Sequence, residues 1–329
     1  MKILAMNAFT EEVVELKKWA QENKQDLTIT ETPLTTENID QVKGFDALSV
    51  QQVVPLGSPA VYAKLAEFGI KQIAVRSVGY EFIDLAAAKA NGLVVTNVPV
   101  YSPRSVAEYV LAQTMRLLRH LNQFEENAIQ HDFTWLGKIS PELSELTIGI
   151  IGAGHIGSAV AQIFHALGSQ IMINDPVENP DLAGFATYTD LTTLLTASDV
   201  VTLHVPLTSQ TMKLLSTESF AKMKASAYLI NAARGQVVDT PALIQALKSG
   251  TIAGAALDVW TGEGPYFDYD WQGKDLNNSE LETLLTLPNL ILTPHIAFFT
   301  KNSVHNIAYT ALNEAVRGAS GQPVKHPVN

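Results

Sequence analysis

Residues 146–175 constrain the fold more than any other stretch of the chain. An apolar run, Leu-Thr-Ile-Gly-Ile-Ile (146–151), leads into Gly152-Ala153-Gly154-His155-Ile156-Gly157. A helical pattern follows from Ile156 to Leu167, and a second apolar run, Gln170–Asn174, ends at Asp175. A lone G-x-G-x-x-G is a weak signal. Set between a strand and a helix, with an acidic residue about 20 positions on, it marks a βαβ unit that binds a dinucleotide. Gly152 permits the tight turn, Gly154 lets backbone approach a pyrophosphate, and Gly157 lets helix and strand pack closely. The helix N-terminus offers unpaired N–H groups to phosphate. Asp175 falls where a ribose 2′-hydroxyl would lie; a carboxylate accepts its hydrogen bond and repels a 2′-phosphate. No Lys or Arg occurs from Ile139 to Met212, so a 2′-phosphate would find no local cation, and NAD is expected over NADP.

The remaining pattern extends this unit in both directions. Lys2–Met6, Ala47–Val50, Ile73–Val75 and Leu93–Thr96 read as buried strands, with helical patterns at Glu11–Asn23, Ala60–Phe68 and Phe82–Asn91. The last of these helices is stopped by Asn91-Gly92. Asn97-Val98-Pro99 and Ser102-Pro103 interrupt the rhythm before a long helical pattern from Ser105 to about His120, which marks a domain boundary. After residue 146, strands are expected at Gln170–Asn174, Val200–His204, Tyr228–Asn231, Ala253–Val259 and Leu290–Leu292. A helix is expected over Pro241–Ser249 with Thr240 as its N-cap. The tail past His295 holds one more helical pattern, through Ala315, expected to return to the first domain. At 329 residues the chain is long enough for two domains. The fold class is α/β, with two doubly wound parallel sheets.

Charge and composition exclude several functions. The net charge is −11, the wrong sign for gripping nucleic-acid phosphates or an anionic membrane. There is no cysteine, hence no disulfide, thiolate metal site or cysteine nucleophile. No apolar run is long enough to span a bilayer, and the N-terminal stretch does not read as a signal peptide, because Glu11 and Glu12 interrupt it early. A cytoplasmic protein is expected. No metal-ligand spacing of the H-E-x-x-H kind occurs, so no metal is expected.

Polar residues fall at later strand ends, where ligands bind in open α/β sheets. Arg234 follows 228–233, Asp258 lies near the end of 253–259 with Glu263 just beyond, and His295 follows 290–294. An arginine forks onto a carboxylate. A histidine serves as acid or base near neutral pH, and a neighbouring carboxylate orients its ring and favours the imidazolium. With NAD, this set suits oxidation of an alcohol beside a carboxylate. Each residue has a structural alternative: a helix cap for Arg234, a solvated loop charge for Glu263, a satisfied buried ring for His295. Their joint placement at comparable strand ends favours the chemical reading. His204, within Val-Thr-Leu-His-Val-Pro, reads as a packed strand-end residue.

These segments together resemble one family. RSVG (76–79), NVPVYSPRSVAE (97–108), GIIGAGHIG (149–157), LHVP (203–206), NAARGQVVDT (231–240), ALDVWTGEGPYFDYDWQGKD (256–275) and TPHIAFFT (293–300) are similar to the D-isomer-specific 2-hydroxyacid dehydrogenases, most of all to the D-lactate and D-2-hydroxyisocaproate branch of lactic acid bacteria. The resemblance spans most of the chain. It implies a small 2-oxo or 2-hydroxy acid as substrate and Arg234, Glu263 and His295 as catalytic residues. It implies that His155, Ile156, Asp175, Val205, Pro206, Thr211, Ala232, Ala233 and Asp258 face the cofactor, beside the three glycines. Val78, Gly79 and Tyr101 would meet the substrate, with Arg234 and His295. It further implies a discontinuous flavodoxin-like substrate domain (1–100 and 298–329), an inserted NAD-binding Rossmann domain (101–297), and a homodimer. Two segments depart from the family: Ser77 stands where Asn is frequent, and 49–56, SVQQVVPL, lacks the tyrosine that lactate-preferring relatives place nearby. An NAD(H)-sensing corepressor-like protein is the alternative on the same fold; the acidic charge and the absence of basic or disordered extensions argue against it.

Overall fold

Short apolar runs flanked by turn residues become strands, and the amphipathic stretches between them become the helices that cover both faces. The computed structural model describes residues 1–329, which divide into two units, Met1–Ser102 with Phe299–Asn329, and Pro103–Phe298. In the first unit the order is β1 (Lys2–Met6), α1 (Thr10–Glu22), β2 (Asp26–Ile29), β3 (Ala47–Val50), α2 (Pro59–Glu67), β4 (Gln72–Val75), α3 (Leu85–Ala90) and β5 (Val94–Thr96), with the C-terminal helix Lys301–Ala319 added from the far end of the chain. All five strands are parallel in the order β2-β1-β3-β4-β5. This is a flavodoxin-like sheet whose strand order reverses between β1 and β3.

The pleat sorts its side chains. Ile3, Ala5, Ala47 and Ala74 face Leu16, Trp19, Ala308 and Leu312. Leu4, Met6, Leu48, Val50, Ile73 and Val75 face Tyr62 and Leu65. The alanines on the first face let α1 and the C-terminal helix lie close to the sheet, and the Trp19 indole N–H donates to Asn313 Oδ1 at 2.9 Å to fix them together.

The second unit contains α4 (Pro103–Leu118), α5 (Leu121–Ile129), β6 (Thr147–Ile151), α6 (His155–Ala166), β7 (Gln170–Asn174), β8 (Ala186–Tyr188), α7 (Leu191–Ala197), β9 (Val200–Leu203), α8 (Thr217–Phe220), β10 (Tyr228–Asn231), α9 (Thr240–Ser249), β11 (Gly254–Leu257), α10 (Ser279–Leu285) and β12 (Leu290–Leu292). Its seven strands are parallel in the order β12-β11-β10-β9-β6-β7-β8. The order reverses between β6 and β9, so the glycine-rich turn after β6 opens at the switch point. Strands β9 and β11 are buried along their whole length, and each fully buried valine or leucine in them contributes roughly 1.5–3 kcal/mol. No helix is long and apolar enough to cross a membrane.

Several details differ from the sequence expectation. Thr240 is the first residue of α9, and Asp239 holds the N-cap position without a side-chain cap bond. The third helix starts at Leu85 rather than Phe82, because the Asp84 carboxylate caps it by accepting from Ala87 N. The strands expected to reach His204 and Val259 stop at Leu203 and Leu257. Strands β2 and β8 carry no expectation from the sequence: both are sheet edges with half-exposed residues, which weakens the apolar signal.

Candidate active site

The glycine turn is shaped by contacts that a side chain would break. Gly152 has φ +93°, and a Cβ there would lie 2.7 Å from His204 O and 2.8 Å from Val205 Cγ1. A Cβ on Gly157 would lie 1.9 Å from Gly152 O, so helix α6 can meet the turn only through a glycine. Gly154 is different: it is exposed, and a Cβ there would meet no protein atom within 4 Å. Packing therefore does not demand Gly154, whereas a ligand pressed onto the backbone would. The N–H groups of His155 and Ile156, at the start of α6, have no partner in the chain. The Asp175 carboxylate accepts from Ala153 N at 2.7 Å and from Val177 N at 2.8 Å, which ties the end of β7 to the turn. A bare-backbone cradle, unpaired helix amides and a carboxylate beside them are the features an NAD pyrophosphate and ribose require.

Neighbouring loops border the turn. Val205 and Pro206 follow β9, and the Thr211 hydroxyl donates to Pro206 O at 2.6 Å, closing that loop on itself. Ala232 and Ala233 follow β10, and Ala233 N donates to Asn231 Oδ1 at 3.1 Å. His204 Nε2 lies 2.9 Å from Thr202 Oγ1. Burial pushes its ring down to about 3, so it stays neutral in the strand end, as a packed residue would.

Strands β10, β11 and β12 are consecutive neighbours, so the residues that leave their ends lie side by side. Arg234 leaves β10 extended, with Nη1 donating to Ala233 O at 2.8 Å. Gly235 behind it is pressed onto the next loop; a Cβ there would sit 2.1 Å from the Trp260 carbonyl carbon. Glu263, in that next loop, has Oε1 3.1 Å from His295 Nδ1 and Oε2 3.4 Å from Trp260 N. Phe267 stands edge-on to the His295 ring at 5.3 Å and Phe298 at 6.2 Å. These contacts leave Nε2 as the ring atom available to a ligand.

His295 sits in a left-handed backbone conformation, φ +57°, which a non-glycine residue adopts only when its surroundings hold it. Asp258 is the support. Its carbonyl accepts from His295 N at 2.8 Å, and its carboxylate accepts from Thr293 Oγ1 at 2.7 Å, Ile296 N at 2.9 Å and Ala297 N at 2.7 Å. Burial raises the Asp258 carboxyl above its ordinary range, while these donors and the nearby His295 pull it back. Tyr109 on α4 extends the chain with its hydroxyl 2.5 Å from Thr293 Oγ1. Asp258, which the resemblance assigns to the cofactor side, also holds the histidine turn through its carboxylate. Thr293 and Tyr109 were missed, and only the proximity of Thr293 to Pro294-His295 signalled anything.

In the first unit, loop 76–79 leaves β4. Its carbonyls are occupied: Ser77 O accepts from Val98 N at 3.0 Å, Val78 O from Asn97 Nδ2 at 2.8 Å, and Gly79 O from the Ser77 hydroxyl. The N–H groups of Val78 and Gly79 have no partner. Adjacent free amides on a loop held by its carbonyls suit an anion. Tyr101 is half-buried, and its carbonyl accepts from Asn306. The two glutamines of 49–56 are turned inward. Gln52 bonds Leu34 N and O and Val54 O; Gln51 is buried, and Val53 is the exposed residue of the pair that follows.

Comparison with known proteins identifies the chain's relatives. The family model described as D-isomer specific 2-hydroxyacid dehydrogenase, NAD binding domain, matches residues 111–297. A D-2-hydroxyacid dehydrogenase (NAD(+)) of Clostridioides difficile is 37% identical over 319 residues, 96% of each chain. A D-lactate dehydrogenase structure from Sporolactobacillus sp is 44% identical with a TM-score of 0.88, covering 100% of this chain and 99% of that one. The NAD-complexed D-isomer specific 2-hydroxyacid dehydrogenase of Lactobacillus delbrueckii ssp. bulgaricus is 41% identical with a TM-score of 0.88 over 100% of both chains.

Proposed function

The chain belongs to the D-isomer specific 2-hydroxyacid dehydrogenase family, and from that premise we propose that it is an NAD-dependent enzyme that reversibly reduces a 2-oxo acid to the D-2-hydroxy acid. The observation that carries the reading is the Glu263–His295 pair at adjoining strand ends, Oε1 to Nδ1 at 3.1 Å, with Nε2 left for a ligand. Bound NADH supplies the hydride in reduction, and NAD+ accepts it in the reverse direction. The glycine turn, the first amides of α6 and Asp175 would hold that cofactor, with Val205, Pro206, Thr211, Ala232 and Ala233 beside it.

The carboxylate of Glu263 can only accept, so His295 Nδ1 carries the hydrogen between them. Nε2 is then the working atom. Protonated, it gives its proton to the C2 oxygen of the oxo acid as the carbonyl is reduced; neutral, it takes the hydroxyl proton in oxidation. Arg234 binds the substrate carboxylate with its fork and polarises the adjacent carbonyl. In the first unit, the free amides of Val78 and Gly79 are offered to a carboxylate of the substrate, and Tyr101 to its side chain. Residues 1–102 and 299–329 form the substrate-binding domain in this reading, and residues 103–298 the NAD-binding domain.

The substrate extends from pyruvate to oxo acids with bulkier aliphatic or aromatic side chains. What supports the larger group is segment 51–54, which carries no tyrosine and whose two glutamines are engaged within the fold. Each added methylene buried is worth about 0.8 kcal/mol. The test is NADH consumption with pyruvate, 4-methyl-2-oxopentanoate and phenylpyruvate; no turnover with any of them rejects the assignment.

The enzyme works as a homodimer in the cytoplasm. Helix α5 buries none of its residues, and Ile129, Phe133, Trp135, Leu136 and Ile139 around it are at least 75% exposed. Large apolar side chains this exposed within one segment ask for a partner, and a second copy of the chain supplies a self-complementary one.

A further inference from the structure

Beneath loop 76–79 lies an ion pair that the chemistry above does not use. Arg76 and Glu12 are both 0% exposed, with Arg76 Nε 2.8 Å from Glu12 Oε1. The guanidinium also donates to Met6 O at 2.8 Å and Ser49 Oγ at 3.2 Å. One side chain therefore joins the ends of β1 and β3 to the first turn of α1. The backbone of the same residue is held too: Arg76 N donates to Val50 O at 2.8 Å. The Gln51 amide, oriented with its nitrogen donating, reaches Arg76 O and Glu12 Oε1, both at 3.2 Å. Glu12 Oε2 is buried without a partner. For stability alone this is a poor arrangement, since a buried ion pair with an unpaired oxygen gives back much of its Coulomb energy as desolvation.

Its location explains it better. Arg76 is the root of loop 76–79, and β1 and β3 flank the point where the strand order of this sheet reverses, the usual ligand position in such folds. We propose that Glu12 and Arg76 are positioning residues that clamp the base of loop 76–79, so that the Val78 and Gly79 amides are already aimed when the substrate carboxylate arrives. This rests on the reading of that loop as part of the substrate site. Pre-set amides contribute to ground state and transition state alike, so losing them raises KM and leaves kcat nearly unchanged.

Glu12→Gln and Arg76→Met each leave an uncompensated buried group and lower the melting temperature. The double variant Glu12→Leu/Arg76→Met removes both charges, and paired apolar replacement of a buried ion pair is often neutral or stabilising. It therefore separates fold stability from loop positioning. In the double variant the melting temperature returns toward wild type, KM for the 2-oxo acid stays raised about tenfold or more with kcat within about threefold, and NADH affinity is unchanged. Amide exchange supplies a readout independent of turnover: Val98 N–H, which is held by Ser77 O, exchanges faster in the double variant. A double variant with wild-type KM, or with wild-type exchange at Val98, overturns the proposal. If the wild-type protein reduces no 2-oxo acid, the functional reading fails, and Val98 exchange alone then decides whether the pair clamps the loop.

Discussion

Gly154 and Gly157 are three residues apart, yet alanine should do opposite things at the two positions. At Gly157 the added methyl carbon would stand 1.9 Å from Gly152 O and 3.3 Å from Ile150 Cγ2. A backbone oxygen cannot swing aside, so α6 must move off β6. Overpacking costs about 1–3 kcal/mol, here at the upper end, while alanine returns about 1 kcal/mol of helix propensity. The net loss of about 2 kcal/mol lowers the melting temperature of a domain this size by roughly 4–8 °C. At Gly154 the methyl meets no protein atom within 4 Å, and φ is negative at −65°, outside the left-handed region that demands glycine. Gly154→Ala should melt within about 2 °C of wild type, consistent with an unstrained exposed substitution. The same methyl occupies the space a pyrophosphate needs, so NADH affinity should fall about tenfold or more, equivalent to about 1.4 kcal/mol. Thermal melts of the ligand-free protein and fluorescence titration with NADH read both effects. A Gly154→Ala protein that binds NADH like wild type would refute the cradle argument, and an unshifted melt for Gly157→Ala would refute the packing argument.

Asp175→Ala should narrow the preference for NADH over NADPH without creating strong NADPH binding, since no Lys or Arg lies between residues 139 and 212; equal catalytic efficiencies for both cofactors in the wild-type protein would contradict this. His295→Gln should lower kcat by about 10²–10⁴-fold in a folded protein, the usual share of a general acid–base. Glu263→Gln replaces the carboxylate that holds His295 Nδ1, so kcat should fall at least several-fold with NADH affinity unchanged; a wild-type kcat would count against the pair. Trp135→Asp combined with Ile139→Asp should halve the mass seen by light scattering, whereas a wild-type protein that is already monomeric would remove the dimer.

The elements most legible in the sequence are those whose signal is local. The glycine turn follows from steric demands at Gly152 and Gly157, and buried parallel strands such as 200–203 and 254–257 declare themselves as short apolar runs. The edge strands 26–29 and 186–188 do not, because half-exposed residues alternate too weakly. In the candidate site, Arg234, Glu263 and His295 stand out in the sequence because polar residues interrupt apolar strands at their ends. The supports were invisible. Asp258, Thr293 and Tyr109 are joined across 184 positions of sequence, and Glu12 meets Arg76 across 64. Such pairings come from topology, and neither partner carries a local sign of the other. Asp258 was noticed for its place at a strand end, but only geometry reveals that its carboxylate holds the left-handed turn bearing His295.

The central claim is that this chain reduces a 2-oxo acid by hydride transfer to the D-product, with His295 delivering the proton. Its most direct test is to incubate the purified protein with NADH and pyruvate or 4-methyl-2-oxopentanoate and resolve the hydroxy acid formed by chiral chromatography. The account predicts consumption of NADH matched mole for mole by the D-isomer, and its near-complete loss in His295→Gln. Formation of the L-isomer, or undiminished D-product from His295→Gln, would contradict it.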